Sequence, residues 1–545
     1  MPCQLRGLPL ILPTPFMRRN YLLPRLVTPL AFFGFALALE AADAPLPASP
    51  NAAHVVLVVW DGMRPNFINA ENTPNAFALA HRGTFFANNH SFWPTTTEVN
   101  GTVLATGTFP ARSTIVANRE YRPDIDPRGP VATYALETIR KGDALTGGHY
   151  IATSTVAEIV RKAGFPTAVA GTKPVALLHD RSPERPETPK SAIVFAGNAI
   201  PAAILGPITE ALGPFVPYKP DIANPKPNTA ANRWTTRALL EHLWSGGVPR
   251  YSVLWLSDPD FPQHVTAPGH PAALAGIHDS DTNLGLLVEE LRKRGELDKT
   301  DIFLVSDHGF STIERSVELV KYFTEHGTPV SSHFSSPPQP GQVMLVGVGG
   351  ATGLYVIGHE KTTVAKLVDL LQASDFSGPI FTRDALPGTF PLGDAHIDSP
   401  SAADIVFSFR WSDGANAYGI PGLILAEGRA GAGMHGSLGK FDTHNTLLAG
   451  GPDIRAGYRD ENPTGNIDVG ATVLHLLGLA HPDGADGRVL TEALANAPMP
   501  EEKPVTKRVE AACTLSDGTV WKQYLQVSSF GGKSYFDEGN AKGEK

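Results

Sequence analysis

The sequence predicts an α/β fold: a doubly wound, mainly parallel central sheet with helices on both faces, inserted cap segments and a C-terminal antiparallel edge. Three observations carry that prediction. The apolar runs HVVLVVW, YSVLWL and TDIFLV each stop at acids, as strands buried on both faces do in a parallel sheet. Helical patterns alternate with these runs, which is the order a doubly wound sheet requires. At 545 residues, 42% hydrophobic and 18% charged, the chain can bury a large core and still carry insertions.

Reading from the N-terminus, the first element is a leader. Arg18, Arg19 and Arg25 follow Met17, and then comes LVTPLAFFGFALALEAADA. Its apolar part, about 13 residues, ends in small residues at alternate positions, Ala36 and Ala38 or Ala42 and Ala44, as a signal peptide does. A membrane span needs about 20 residues. Residues 1–44 are therefore expected to be a secretory signal, with Met1 or Met17 as the start. The mature chain is expected in the periplasm or secreted, without a membrane span. Of the two cysteines, Cys3 and Cys513, signal removal would leave one, so no intrachain disulfide is expected.

A Pro/Ala-rich linker (45–53) leads into a main domain expected over residues 54–500. Its first strand ends at WDG, and TPNAFALAHRG follows with helical spacing. Next, PTTTEVNGTVLATGTFP begins as helix and gives way to loop. Residues 183–233, rich in proline and asparagine, read as an inserted cap. YSVLWLSDPD is the second buried run, DTNLGLLVEELRKRG an amphipathic helix, and TDIFLVSDHGF the third run. Residues 330–430 hold a glycine-rich strand pair, the helix TTVAKLVDLLQ and the strand ADIVFSFRW, and read as a second insertion. The tail, 501–545, reads as a β-hairpin turning at SDG.

Net charge is −9, from 54 acidic against 45 basic residues, and no basic block of five or more occurs. A nucleic-acid-binding surface is not expected. What the charge pattern does offer is acids and histidines at strand ends. Ligands of open α/β sheets bind beyond the carboxyl ends of the strands. Asp61, Asp258, Asp260, Asp307 and His308 all lie just past buried runs and should share one edge. In DPDFPQH, Asp260 and His264 are four apart, one helical turn. In GMHGS, His435 sits among small residues. Carboxylates and imidazoles together suit zinc, and there are enough of them for two ions. Singly, each has an ordinary reading as a turn, cap or core residue.

These residues carry a resemblance. VVWDGMRPNF, PTTTEVNGTVLATGTFPARSTIVAN, YSVLWLSDPDFPQH, LRKRGELDKTDIFLVSDHGFS and MHGSLGKFDTHNTLLAGGPDIR follow in the order of the alkaline phosphatase superfamily. The chain most resembles the type I phosphodiesterase/nucleotide pyrophosphatase branch, from about residue 54 to 480. The resemblance implies a two-zinc hydrolase. Asp61, Thr97, Asp307 and His308 would hold one ion, and Asp260, His264 and His435 the other. Counting from Pro94 selects Thr97 as the nucleophile, and Asn118 would hydrogen-bond a phosphate oxygen. Implied substrates are small phosphorylated molecules: a phosphodiester, a nucleotide or a phospholipid headgroup.

The chain departs from the pattern in places. Glu98 stands where the branch has an aromatic residue, which argues against base stacking there; its charge would disfavour dianionic monoesters, unless it points away and caps the helix. Lys173 resembles a phosphate-binding lysine of some monoesterases, but Val175 replaces the arginine that accompanies it, so a solvated surface lysine is the ordinary expectation. His444 competes with His435 for the last ligand role and otherwise reads as a strand-start residue with a satisfied ring. A phosphomonoesterase on the same scaffold and a metal-retaining protein without catalysis remain the alternatives. A sulfatase is disfavoured, because position 97 is neither cysteine nor serine.

Overall fold

Alternation along the first buried run sets the architecture. Within His54–Trp60, Val55, Leu57 and Val59 join the core on one face, and Val56, Val58 and Trp60 the core on the other, all fully buried. Both faces must then be covered. The computed structural model describes residues 51–181 and 191–544; the expected signal, most of the linker and residues 182–190 of the first insertion lie outside the described residues.

Nine strands make the central sheet: β1 (His54–Trp60), β2 (Thr84–Phe86), β3 (Thr167–Gly171), β4 (Ala192–Phe195), β5 (Asn198–Ile200), β6 (Tyr251–Leu256), β7 (Thr300–Val305), β8 (Leu447–Gly450) and β9 (Tyr458–Asp460). Their order is β9-β2-β8-β7-β1-β6-β3-β4-β5. From β7 to β4 every pairing is parallel, while β5 and β8 run against their neighbours. This is the mainly parallel α/β sheet the apolar runs predict.

Helices Thr97–Thr106, Val156–Lys162 and Asn466–Leu476 cover one face, burying Leu104, Val160 and Val473 against it. Pro74–Arg82, Thr229–Arg237 and Pro271–Arg294 cover the other with Leu79, Trp234, Ile277 and Leu284. Each of the aliphatic side chains among these contributes about 1.5–3 kcal/mol by transfer from water. Register is what matters for function. Val59 stands opposite Trp255 and Val305, so β1, β6 and β7 end level and release their acids at one edge.

Two expectations change. The stretch read as an inserted cap supplies β4 and β5 to the central sheet itself. AIVF is too short, and too closely flanked by prolines, to show as a buried run in sequence. The C-terminal residues add a third strand to the expected hairpin: Val505–Thr514, Val520–Phe530 and Lys533–Glu544 form their own antiparallel sheet. That sheet docks through Gln523, whose amide pairs with the Ile380 backbone, onto a six-stranded sheet built within residues 330–409. Cys513 is a free thiol. Among the described residues no helix is long and apolar enough to cross a membrane.

Candidate active site

The level strand ends place Asp61 after β1, Asp260 after β6, Asp307 and His308 after β7, and Lys173 after β3. Gly62 makes the first turn possible. Its φ is +72°, and a Cβ there would lie 2.9 Å from the Phe310 ring. The Gly62 N–H donates to Asp307 Oδ1 at 3.0 Å, tying the first acid's turn to the third acid.

Asp260 opens the short helix Asp260–Val265, and one turn later His264 Nε2 comes back to 3.1 Å from Asp260 Oδ1. His435 Nε2 stands 3.5 Å from the same oxygen. Across the site, His308 Nε2 is 3.2 Å from Asp307 Oδ2, 3.7 Å from Asp61 Oδ1 and 3.3 Å from Thr97 Oγ1. The rings of His308 and His435 stack with centroids 3.6 Å apart, so the two groups adjoin. Ligand atoms of Asp61, Asp307 and His308 lie within 4.8 Å of one another, as do those of Asp260, His308 and His435. His444 lies elsewhere, packed on His90 at 4.6 Å between ring centroids.

All three imidazoles are oriented alike. Nδ1 faces a backbone carbonyl in each: Gly309 for His308 (2.9 Å), Thr95 for His435 (2.8 Å) and Gly433 for His264 (3.2 Å). With Nδ1–H donating, the Nε2 lone pair points at the carboxylates. Lone pairs do not attract carboxylate oxygens. Moreover Asp61 Oδ1, Asp260 Oδ1 and Asp307 Oδ2 are buried without a hydrogen-bond donor. Imidazole lone pairs and orphaned carboxylate oxygens converging on one space are the donor set of a divalent cation, and nitrogen with oxygen suits zinc.

Electrostatics point the same way. Burial, reinforced by the neighbouring Asp307, pushes Asp61 up to about 8, and burial takes Asp307 to about 7. Burial also acts on Asp260, but the Lys173 ammonium, with His264, outweighs it and holds that carboxyl well below the usual range. The Lys173 amine is 2.9 Å from Asp61 and 2.8 Å from Asp260, with 12% of its side chain exposed. The surface-lysine expectation is therefore corrected. β3 lies beside β6, and that adjacency drops Lys173 into the acidic edge.

Thr97 is the first residue of the Thr97–Thr106 helix, after Thr96 at the N-cap position, whose hydroxyl turns to the Pro94 carbonyl, and is 3% exposed. Its hydroxyl thus sits at the positive end of a helix. Thr95 and Thr96 are loop residues; the Thr95 carbonyl orients His435. Asn118 Oδ1 accepts from the Glu98 N–H at 3.0 Å, which fixes the amide so that its Nδ2 is the end turned away from that bond. Glu98 does not cap the helix. It is buried, its Oε2 has no hydrogen-bond partner, and burial pushes its carboxyl up to about 8, with Lys173 and Asp61 as its charged neighbours.

Some contributors carry no signal in the sequence. The Trp255 indole donates to Asp61 Oδ2 at 2.9 Å, yet within YSVLWL it reads as core. Tyr218, from the proline-rich stretch, stacks on Phe261 at 4.8 Å and 22°, and Lys173 Nζ lies 5.0 Å from that Phe261 ring. An aromatic wall therefore flanks the lysine.

Comparison with known proteins places this geometry. Residues 55–437 match the sequence model of the family described as type I phosphodiesterase / nucleotide pyrophosphatase. Human ectonucleotide pyrophosphatase/phosphodiesterase family member 7 is 24% identical over 241 residues, 44% of this chain and 47% of that protein, so the match spans about half the relative's length. Among solved structures, murine ectonucleotide pyrophosphatase/phosphodiesterase 5, an inactive form in complex with AMP, superposes with a TM-score of 0.56 at 16% identity, over 81% of this chain and 99% of that one. The human protein of the same name gives 0.55 at 17% identity, over 81% and 99%. At such identities the structural likeness speaks for the fold.

Proposed function

Because the chain belongs to the type I phosphodiesterase/nucleotide pyrophosphatase family, within the alkaline phosphatase superfamily, we propose that it is an exported two-zinc hydrolase of phosphodiester or pyrophosphate bonds, acting through Thr97. The observation that carries this reading is the placement of the Thr97 hydroxyl, 3.3 Å from His308 Nε2 and beside three buried carboxylate oxygens that lack donors. Asp61, Asp307, His308 and Thr97 would hold one zinc, and Asp260, His264 and His435 the other. Two such ions, when bound, lower the hydroxyl's proton affinity and neutralise charge on the leaving oxygen.

The chain's own groups do the rest. Thr97 Oγ, its proton passed to solvent water, forms a bond to phosphorus as the bond to the leaving oxygen breaks; that oxygen takes a proton from water. A phospho-threonine remains, and water hydrolyses it to restore the hydroxyl. The Asn118 side-chain amide N–H can donate to a non-bridging oxygen, since its carbonyl is held by Glu98 N–H. Backbone N–H groups at the helix start favour the same anion. The Tyr218–Phe261 wall suits a planar leaving group such as a base or a nitrophenyl ring. Nucleotides, other diesters and phospholipid headgroups are the substrate classes. Export rests on the leader read from residues 17–44.

With zinc supplied, bis-(4-nitrophenyl) phosphate is expected to be hydrolysed with a higher kcat/KM than 4-nitrophenyl phosphate. An excess for the monoester would establish the second reading, a phosphomonoesterase, which the burial of Lys173 in the site favours.

Glu98 provides the finer test. At pH 9, above its raised value of about 8, its carboxylate is charged. Glu98→Gln is then expected to raise kcat/KM for the monoester by roughly tenfold, the size of one unscreened charge repulsion in a partly buried site. The diester should change little. An unchanged ratio between the two substrates would remove Glu98 from substrate selection.

A further inference from the structure

We propose that His90, His444 and Asp537 form a second metal site, distinct from the candidate active site, that holds one structural zinc ion and fastens the C-terminal sheet to the segment leading to Thr97. The proposal does not depend on the hydrolase reading. His444 and Asp537 lie beyond residues 55–437, the span matched to the family.

The three ligand atoms lie within 4.8 Å of one another. His90 is buried with Nδ1 2.8 Å from the Thr464 carbonyl and Nε2 2.9 Å from Asp537 Oδ1. Each ring nitrogen thus faces an acceptor. A neutral imidazole has one N–H and can satisfy only one of them. With Nδ1–H given to Thr464, an Nε2 lone pair meets a carboxylate 2.9 Å away, which is repulsive unless a second ring proton or a metal ion bridges them, and the nearby His444 ring supplies the further ligand that a metal ion uses and a proton does not. Asp537 is likewise aimed, for Ser528 donates to its Oδ2 at 2.8 Å and turns Oδ1 toward the histidine. The His444 ring closes the third side, its centroid 4.6 Å from that of His90.

Each ligand is pinned by backbone. His90 and His444 pair in an antiparallel bridge, with Ser91 N–H donating to the Thr443 carbonyl at 2.7 Å. Thr443 Oγ1 in turn donates to the Asp537 carbonyl at 2.5 Å. Two imidazoles and one carboxylate are zinc ligands, and a fourth position is open to water. A cavity of about 440 Å³, lined by Trp93, Phe109, His396, Lys507 and Tyr535, reaches the site at His90. The ion's effect would reach the active site through the neighbouring residue, since Ser91 Oγ donates to the Asp307 carbonyl at 2.7 Å.

The test is zinc content of the full chain after chelation, reloading and gel filtration. Wild type is expected to retain one equivalent more than Asp537→Ala and one more than His444→Ala, whatever number the active site holds. Should the active site hold none, wild type would still bind one ion and the variants none, which separates this proposal from the hydrolase reading. Equal zinc in all three would overturn it and leave His90–Asp537 as a hydrogen-bonded pair. If the variants fold poorly, wild-type crystals grown with zinc decide: an anomalous peak among the three residues is expected, and its absence would overturn the site.

Discussion

Thr97→Ala is expected to lower kcat by about 10⁴-fold or more while zinc content stays at the wild-type value. The magnitude is that of removing a covalent nucleophile from a site whose other parts remain. The fold should tolerate the change. Alanine is the best helix former, and the lost contact with His308 is a single one worth about 1 kcal/mol. Zinc should stay because Asp61, Asp307 and His308 still converge on one position, and His264 and His435 both still approach one Asp260 oxygen, at 3.1 and 3.5 Å. The measurement is turnover of bis-(4-nitrophenyl) phosphate beside metal analysis of the same preparation. Turnover within tenfold of wild type would mean that water attacks phosphorus directly. A wild-type protein that binds zinc and phosphate esters without turning them over, and whose affinity ignores the substitution, would instead be the non-catalytic binder.

The fold and the metal-ligand candidates are legible in the sequence for one reason: a strand buried on both faces leaves a continuous apolar run, and its end is marked by the first charge. Asp61, Asp260 and Asp307 are therefore visible, and a helical turn links Asp260 to His264 without any knowledge of the rest. Lys173 is not visible in this way. In AGTKPV a lysine reads the same beside water or beside two carboxylates, and only the lateral order of β3 and β6 decides between them. Glu98 fails for a similar reason, since a helix start tells nothing of which way its first turn faces. β4 and β5 are too short to leave a pattern. The pairing of His90 with Asp537 spans 447 residues, and no local signal can announce a contact that depends on where a separate sheet docks.

Removing divalent cations is expected to abolish activity, restorable by zinc, and to lower the thermal midpoint by roughly 5–10 °C, the effect of two ions present far above their dissociation constants on a domain of this size. The size of that shift should depend on pH, and its sign follows from the buried acids. In the cation-free chain Asp61 and Asp307 titrate at about 8 and about 7, well above the ordinary 3.8. From about pH 4 upward the unfolded chain releases protons that the folded chain still keeps, so cation-free stability falls as pH rises, until both groups have ionised near pH 8. Asp260 does not join this trend, because Lys173 already holds it ionised. With cations bound, Asp61 and Asp307 ionise against positive charge and their share of the decline disappears, while that of Asp258 and Asp301, buried away from the ions, is common to both forms. The difference in midpoint between zinc-loaded and chelated protein should therefore widen from pH 5 to pH 8. It is best measured in Asp537→Ala, where the proposed second site cannot contribute. A gap that is absent, or constant across that range, would show that Asp61 and Asp307 do not hold the ion.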